Sequence, residues 1–418
     1  MMQTHASAPA VAQPAKASHN TLPVATLRKQ LTRLIQSAKQ HVPFYARHWQ
    51  GIAAQLATLQ FPEQLSELPI VQKTDLVAQP AADLLDNSFS DLRLVIEKTS
   101  GSGGQPMEIS KDPASVRRRG LRFLRALLSC GYRPGQRLML ISTRRSGGVM
   151  TFARWHYVDL RDEQLLKEYQ QLRPETLYGP LTSLLQICEQ AQRDTVALHR
   201  PSMIISTGEQ MMPAQRALLA ATFGCPVGDF YGMTEVGLVA FRRPQNTNFE
   251  LASDDLLLEY LPLEDGHTIE KPAERLIVTD LTGGAMPMIR YDTGDLVCRD
   301  TGQPERPIQG FVGRRIDSIK LGSGNSVSPY RVTLRFEAIP SLRQYQVVQR
   351  KDLSVDIYFH CEEAHAGSVS DALSTALAEL CGELTTRLHF QKHALHKVVG
   401  KFRPVQSEAS PAAARLDA

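Results

Sequence analysis

The sequence predicts an α/β protein: a large N-terminal domain with parallel-rich sheets and flanking helices, followed by a small α+β C-terminal domain. Three observations predict it. Between residues 92 and 231, short apolar runs alternate with segments of helical period, the order of parallel strands joined by crossover helices. From about residue 250 the texture changes to short β-rich segments. Beyond Gly313 lies a further strand and helix unit of about a hundred residues, an ordinary domain size.

A chain of 418 residues is too long for one ordinary core. Met1 to Asn20 are rich in Ala, Pro, Gln and Ser and lack the basic start and apolar block of a signal peptide. Residues 1–20 are therefore expected to be a disordered tail, as are 406–418, with the large domain over 21–312 and the small one over 313–405. Contents of 42% hydrophobic and 22% charged residues fit a soluble globular chain. A formal charge of +4 is a poor argument for a polyanion, so no nucleic acid is expected as partner. No apolar run reaches membrane-spanning length. The cysteines at 130, 188, 225, 298, 361 and 381 form no Cys-x-x-Cys and no tight Cys/His cluster. That argues against a zinc ribbon or disulfide framework and fits a reducing, cytoplasmic setting. A monomer or homodimer is expected.

In chain order, Leu27, Leu31, Leu34 and Ile35 recur at helical spacing, Pro43 ends that helix, and Phe44 and Tyr45 begin an aromatic anchor. Leu68 to Leu76 reads as a turn into a short helix capped at Thr74. Leu92 to Glu97 alternates as a half-buried strand does, and the Gly/Ser loop Thr99 to Pro106 follows. Residues 114–130 form a helix whose arginines, Arg117 to Arg119 with Arg122 and Arg125, oppose Leu121, Leu124, Leu127 and Leu128. That pattern reads as a solvated face, or alternatively as a contact to phosphates. Strands are expected at 137–142, 176–178, 202–206 and 227–231, with helices at 162–172, 180–193 and 213–222. Further strands follow at 256–260, 275–280 and 295–299, with a boundary near Val312-Gly313. Strands at 347–349 and 355–359, a helix over 367–384 and a last strand near 387–391 complete the small domain.

Several patches carry chemistry. Ser100, Gly101, Ser102, Gly103 and Gly104 combine glycines with hydroxyls, which suits either an amide-lined phosphate cradle or a solvated turn. No Lys-Ser or Lys-Thr closes the loop, so it is not a Walker loop. Ser206-Thr207-Gly208-Glu209 follows a strand, where ligands collect in such folds. Tyr231-Gly232-Met233-Thr234-Glu235 places a ring able to stack on a base beside a carboxylate able to hold Mg²⁺. Arg290 to Asp295 sets carboxylates around a turn, either for ribose hydroxyls or as ordinary hairpin chemistry. Gly313-Arg314-Arg315-Ile316-Asp317 lies on the expected boundary, and Lys401 lies on a glycine-flanked loop near the end.

Taken in order, these patches resemble the adenylate-forming superfamily of acyl-CoA synthetases, adenylation domains and luciferases. The closer resemblance is to the phenylacetate–CoA ligase-like branch, through Val42-Pro43-Phe44-Tyr45 and Leu68-Pro69-Ile70-Val71 with Lys73 and Leu76. The similarity runs from about residue 22 to 404. It implies a two-step acid–thiol ligase. A carboxylic acid, aryl or small, is activated by ATP and Mg²⁺ as acyl-AMP, releasing pyrophosphate. A thiol, either CoA or the phosphopantetheine of an acyl carrier protein, then displaces AMP. The resemblance assigns Ser100 to Gly104 to the ATP phosphates, Tyr231 and Gly232 to adenine, Thr234 to phosphate and Glu235 to Mg²⁺. It assigns Asp295 to the ribose, Gly208 and Glu209 to the border of the adenine and acyl pockets, and Lys401 to the adenylating centre. In the boundary motif it favours Arg315 as the ribose arginine and Asp317 as the hinge of a mobile small domain. The alternative, Arg314, would make Ile316 the hinge.

Three departures qualify the resemblance. Gly103 stands where a second hydroxyl is usual, which motivates an alternative: a catalytically impaired nucleotide- or acyl-binding relative of the same fold. Phe241 to Glu250 lacks Cys and His, so no structural zinc is expected. The compact stretch from Ser142 to Glu163, with Arg144, Arg145, Arg154, Trp155 and His156, departs from the aromatic-glycine pattern of phenylacetate ligases.

Overall fold

The computed structural model describes residues 22–99, 106–142, 154–159, 164–262, 273–300, 307–382, 384–393 and 402–409. It opens with α1 (Val24–His41) and α2 (Pro43–His48). Leu27, Leu31, Leu34 and Ile35 of α1 are buried. Pro43 does more than end α1. It is the first residue of α2, a position where a missing N–H costs nothing. Tyr45 is buried and accepts from the Ile289 N–H at 3.0 Å while donating to the Pro287 carbonyl at 3.0 Å. Helix α3 (Lys73–Val77) starts one residue before the expected cap. Its first turn is closed by Asp75, which accepts from the Gln72 N–H at 2.8 Å, so Thr74 lies inside the helix.

Strands β1 (Val95–Lys98) and β2 (Glu108–Lys111) form an antiparallel hairpin around the Gly/Ser loop. The expected strand from Leu92 is therefore shorter, and Leu92 and Ile96 are exposed. Helix α4 (Pro113–Ser129) follows, its Asp112 cap accepting from the Ser115 N–H at 2.9 Å. Its arginine face is not simply solvated. Arg122 is buried, whereas Leu121 and Leu128 are exposed.

The main sheet uses β3 (Leu138–Ser142), β4 (Trp155–Asp159), β5 (Thr176–Pro180), β6 (Met203–Thr207), β7 (Val227–Met233), β8 (Gly237–Arg242) and β9 (Glu250–Leu251). Its order is β4-β3-β5-β6-β7-β8-β9. The pairings from β4 to β7 are parallel, and those from β7 to β9 antiparallel. Helices α5 (Leu165–Leu172), α6 (Leu181–Arg193) and α7 (Pro213–Phe223) supply side chains to one core on this sheet. Phe230 and Leu238 join Ala126 and Leu127 of α4 in another. Helices on both faces are what a parallel sheet requires.

A second, antiparallel sheet orders β10 (Leu256–Pro262), β11 (Glu274–Asp280), β12 (Tyr291–Arg299) and β13 (Ile308–Arg314). It shares the core of α1 and α2. The chain then makes β14 (Ile319–Lys320), β15 (Ser326–Val327), α8 (Pro329–Glu337), β16 (Gln344–Gln349), β17 (Val355–His360), α9 (Ala366–Cys381), β18 (Thr386–Gln391) and β19 (Val405–Ser407). The last sheet orders β18-β17-β16-β19. Residues 406 and 407, expected in the tail, are strand, because β19 pairs in parallel with β16. Among the described residues, no helix is long and apolar enough to cross a membrane.

Candidate active site

The carboxyl ends of β6 and β7 meet β12 and β13 around a cavity of about 320 Å³. Its lining includes Gly208, Tyr231, Asp295, Phe311, Arg314 and Phe402. Asp295 reaches it through the tight turn inside β12. Gly294 adopts φ +73°, where a side chain would be strained, and donates its N–H to Asp292 at 2.9 Å. The Asp295 N–H donates to Thr293 Oγ1 at 3.1 Å. Register shifts flank the turn, as a β-bulge beside a site often produces.

Tyr231 donates its hydroxyl to Asp295 Oδ2 at 2.6 Å. Burial first, and the Asp295 charge second, pushes this phenol well above its ordinary pKa, so it remains a donor. Its ring is stacked on Phe311, centroids 3.5 Å apart and planes 13° apart. Gly232 next to it permits close approach of β7 and β8: a Cβ there would lie 3.0 Å from the Gly237 carbonyl oxygen.

The arginine beside Asp295 is Arg314, not Arg315. Asp295 and Arg314 are register partners across β12 and β13, and Arg314 Nε lies 3.2 Å from Asp295 Oδ1. Burial works against the Arg314 charge, but Asp295 and Asp317 outweigh it and hold its pKa above the ordinary value. Arg315 lies 3.4 Å from Asp292, a carboxylate already paired with Arg275 at 2.6 Å, and its side chain is 43% exposed. Strand β13 ends at Arg314, and Arg315 opens a short 3-10 turn, Arg315–Asp317, so the two adjacent arginines leave the backbone in different settings. Asp317 is buried and accepts from Arg403 Nη1 at 2.6 Å.

Glu235 sits on the turn between β7 and β8, buried, its Oε1 accepting from the Tyr291 hydroxyl at 3.0 Å. Two α4 arginines hold this turn. Arg119 donates to the Thr234 carbonyl at 3.0 Å and the Glu235 carbonyl at 2.5 Å, and Arg122 donates to Val236 at 2.9 Å. Neither was evident from the sequence, because their acceptors lie 114 to 116 positions along the chain. Among the described residues, no group of three His, Cys, Asp or Glu side chains is disposed to hold a metal. A single carboxylate is nevertheless a fitting donor for Mg²⁺, whose remaining ligands are commonly water and substrate phosphate.

Ser100, Gly101, Ser102, Gly103 and Gly104 lie outside the described residues, but the hairpin fixes where they attach. The Thr99 N–H donates to the Met107 carbonyl at 2.8 Å, and Thr99 Oγ1 accepts from the Met107 N–H at 2.9 Å. Lys73 Nζ donates to the same Oγ1 at 3.2 Å. Burial lowers the Lys73 pKa, and the nearby Glu235 carboxylate counters this only in part. The sequence marked Lys73 as part of a signature; the structure adds that its charge stands between the Gly/Ser hairpin and Glu235.

Gly208 takes φ +75° and turns the chain out of β6. Glu209 is committed to protein partners. It accepts from the Thr182 N–H at 2.8 Å and hydroxyl at 3.1 Å, and from the Phe402 N–H at 3.1 Å. Lys401 lies outside the described residues, immediately before Phe402.

No family model matches the chain. The structure is similar to 2-hydroxyisobutyryl-CoA ligase in the postadenylation state with R3-HIB-AMP, at a TM-score of 0.72 and 19% identity, covering 95% of this chain and 93% of that one. With the same ligase in the thioesterification state with 2-HIB-AMP and CoA, the TM-score is 0.60 at 20% identity over the same shares. These likenesses show the fold of the chain: that of 2-hydroxyisobutyryl-CoA ligase. In sequence the chain is similar to phenylacetate–coenzyme A ligase of Thermus thermophilus, 24% identical over 368 residues, covering 80% of this chain and 81% of that protein.

Proposed function

We propose that the protein is an ATP-dependent carboxylate–thiol ligase. The observation that carries this reading is the Tyr231–Asp295–Arg314 constellation set beside the Glu235 turn. Tyr231 supplies a ring for adenine, and Asp295 accepts from ribose hydroxyls with Arg314 alongside. In this reading Lys73, the Gly/Ser loop of residues 100–104 and Thr234 would serve the phosphates, Lys73 through its bond to Thr99 at the foot of that loop. Mg²⁺, held by Glu235, would neutralise charge that develops on phosphate oxygens.

The reaction is positioning plus charge stabilisation. A carboxylate oxygen attacks the α-phosphorus, the bond to pyrophosphate breaks, and acyl-AMP forms. A thiol then attacks the acyl carbon and AMP leaves. Lys401 suits the first step, because one cation can bridge a carboxylate and a phosphate that repel each other. The acid in this reading is aryl or small and the acceptor is CoA or a carrier-protein phosphopantetheine, supported by the likeness to phenylacetate–coenzyme A ligase. Small-unit rotation about the 315–317 turn would separate the two steps.

ATP–pyrophosphate exchange across a panel of carboxylates tests the reading. Exchange that depends on one acid class is expected. A second reading, a binding protein of this fold without turnover, is favoured by Phe311 on the Tyr231 ring and by Gly103 in the loop. Measurable ATP binding with no exchange for any acid would select it.

A further inference from the structure

The chain between β6 and α7, residues 208–212, engages the small C-terminal unit in three ways. Glu209 is fixed at the N-terminus of α6 by the Thr182 N–H and hydroxyl, where a helix end favours a carboxylate. From there it accepts the Phe402 N–H at 3.1 Å. Gln210 Nε2 donates to Thr333 Oγ1 of α8 at 3.4 Å, and that hydroxyl is itself buried against Tyr345 at 3.0 Å. Met212, 4% exposed, belongs to the hydrophobic core of the small unit with Ile319, Val332 and Phe336, although it caps a helix of the large one.

We propose that Glu209, Gln210 and Met212 form a latch that docks the small unit in its adenylating position and so places the Lys401 segment. They are positioning residues, and the inference rests on the ligase reading above. A polar bond to Phe402, a polar bond to α8 and an apolar plug come from four consecutive positions, so they make and break together when the small unit turns. In keeping with this, the chain superposes better on 2-hydroxyisobutyryl-CoA ligase in the postadenylation state than in the thioesterification state, at TM-scores of 0.72 and 0.60. Releasing the latch is then part of the passage to thiolysis.

Two measurements on the full chain test this. Hydrogen exchange at the Phe402 amide is expected to rise about tenfold in Gln210→Ala and in Met212→Ala, although neither residue touches that amide. Pyrophosphate exchange in Gln210→Ala should fall about fivefold or more, with thiolysis of a supplied acyl-adenylate unchanged. Unaltered Phe402 exchange in both variants, or equal loss in the two half-reactions, would overturn the latch. Gln210→Ala guards against Met212→Ala simply loosening the small-unit core. If wild-type protein gave no pyrophosphate exchange, the ligase reading would fall, while Phe402 exchange would still decide the docking role.

Discussion

Asp229 shows how one buried charge reports on the site floor. It lies on β7, 7% exposed, paired with Arg242 at 3.0 Å. Burial pushes its carboxyl up to about 6, and Arg242 offsets that only in part. A carboxyl whose folded pKa is raised binds its proton more tightly when folded. Its unfavourable contribution therefore grows as pH rises from about 4 to about 6, amounting to about 3 kcal/mol at full ionisation. Urea midpoints of wild type and Asp229→Asn should show the variant gaining on wild type as pH is raised from about 4 to 7. A pH-independent difference would contradict this. The two boundary arginines make a second test at this scale. Arg314→Ala, which removes the partner of Asp295, should weaken ATP binding about tenfold or more, while Arg315→Ala should change it little. Isothermal titration separates them, and the reverse ranking would restore Arg315 to the ribose. The resemblance favoured Arg315, because two adjacent arginines look alike until β13 is seen to end at Arg314, the register partner of Asp295.

At the scale of elements, α4 clamps the turn that carries Glu235. Arg119 and Arg122 satisfy carbonyls that β7 and β8 leave behind at their junction. Replacing Arg119 by Met strands two of those acceptors and should cost about 1–3 kcal/mol in urea unfolding. It should also raise the Mg²⁺ concentration needed for half-maximal pyrophosphate exchange, because the carboxylate loses its fixed backbone. An unchanged Mg²⁺ profile would leave Arg119 a purely structural residue. Strands β3, β5, β6 and β7 were readable because buried parallel strands are continuous apolar runs, whereas β4, with its polar His156 and Asp159 at the sheet edge, was not. The β1–β2 hairpin was read as strand then loop, since β2 is short and its partner strand exposes Ile96. The α4 face was misread for a different reason. Arginine at helical spacing is usually solvated, and the carbonyls that engage these two come from more than a hundred residues away.

The whole molecule places Tyr231, Asp295 and Glu235 together although they come from two sheets, and each was legible as a motif because its glycine or hydroxyl neighbours dictate a turn. What the sequence could not carry was which partners each side chain meets. Glu209, expected at the border of the adenine and acyl pockets, lines the cavity and also accepts from Thr182 and Phe402. The two-state account of the molecule predicts that Lys401→Ala abolishes adenylate formation but spares thiolysis of supplied acyl-adenylate. Survival or loss of both half-reactions would contradict that role. The central claim, attack on the α-phosphorus, is tested most directly by a quenched single turnover with α-labelled ATP and an acid drawn from the carboxylate panel. The account predicts label in protein-bound acyl-AMP, released as AMP when thiol is added. Label recovered as ADP, or as intact bound ATP with every acid, would contradict it.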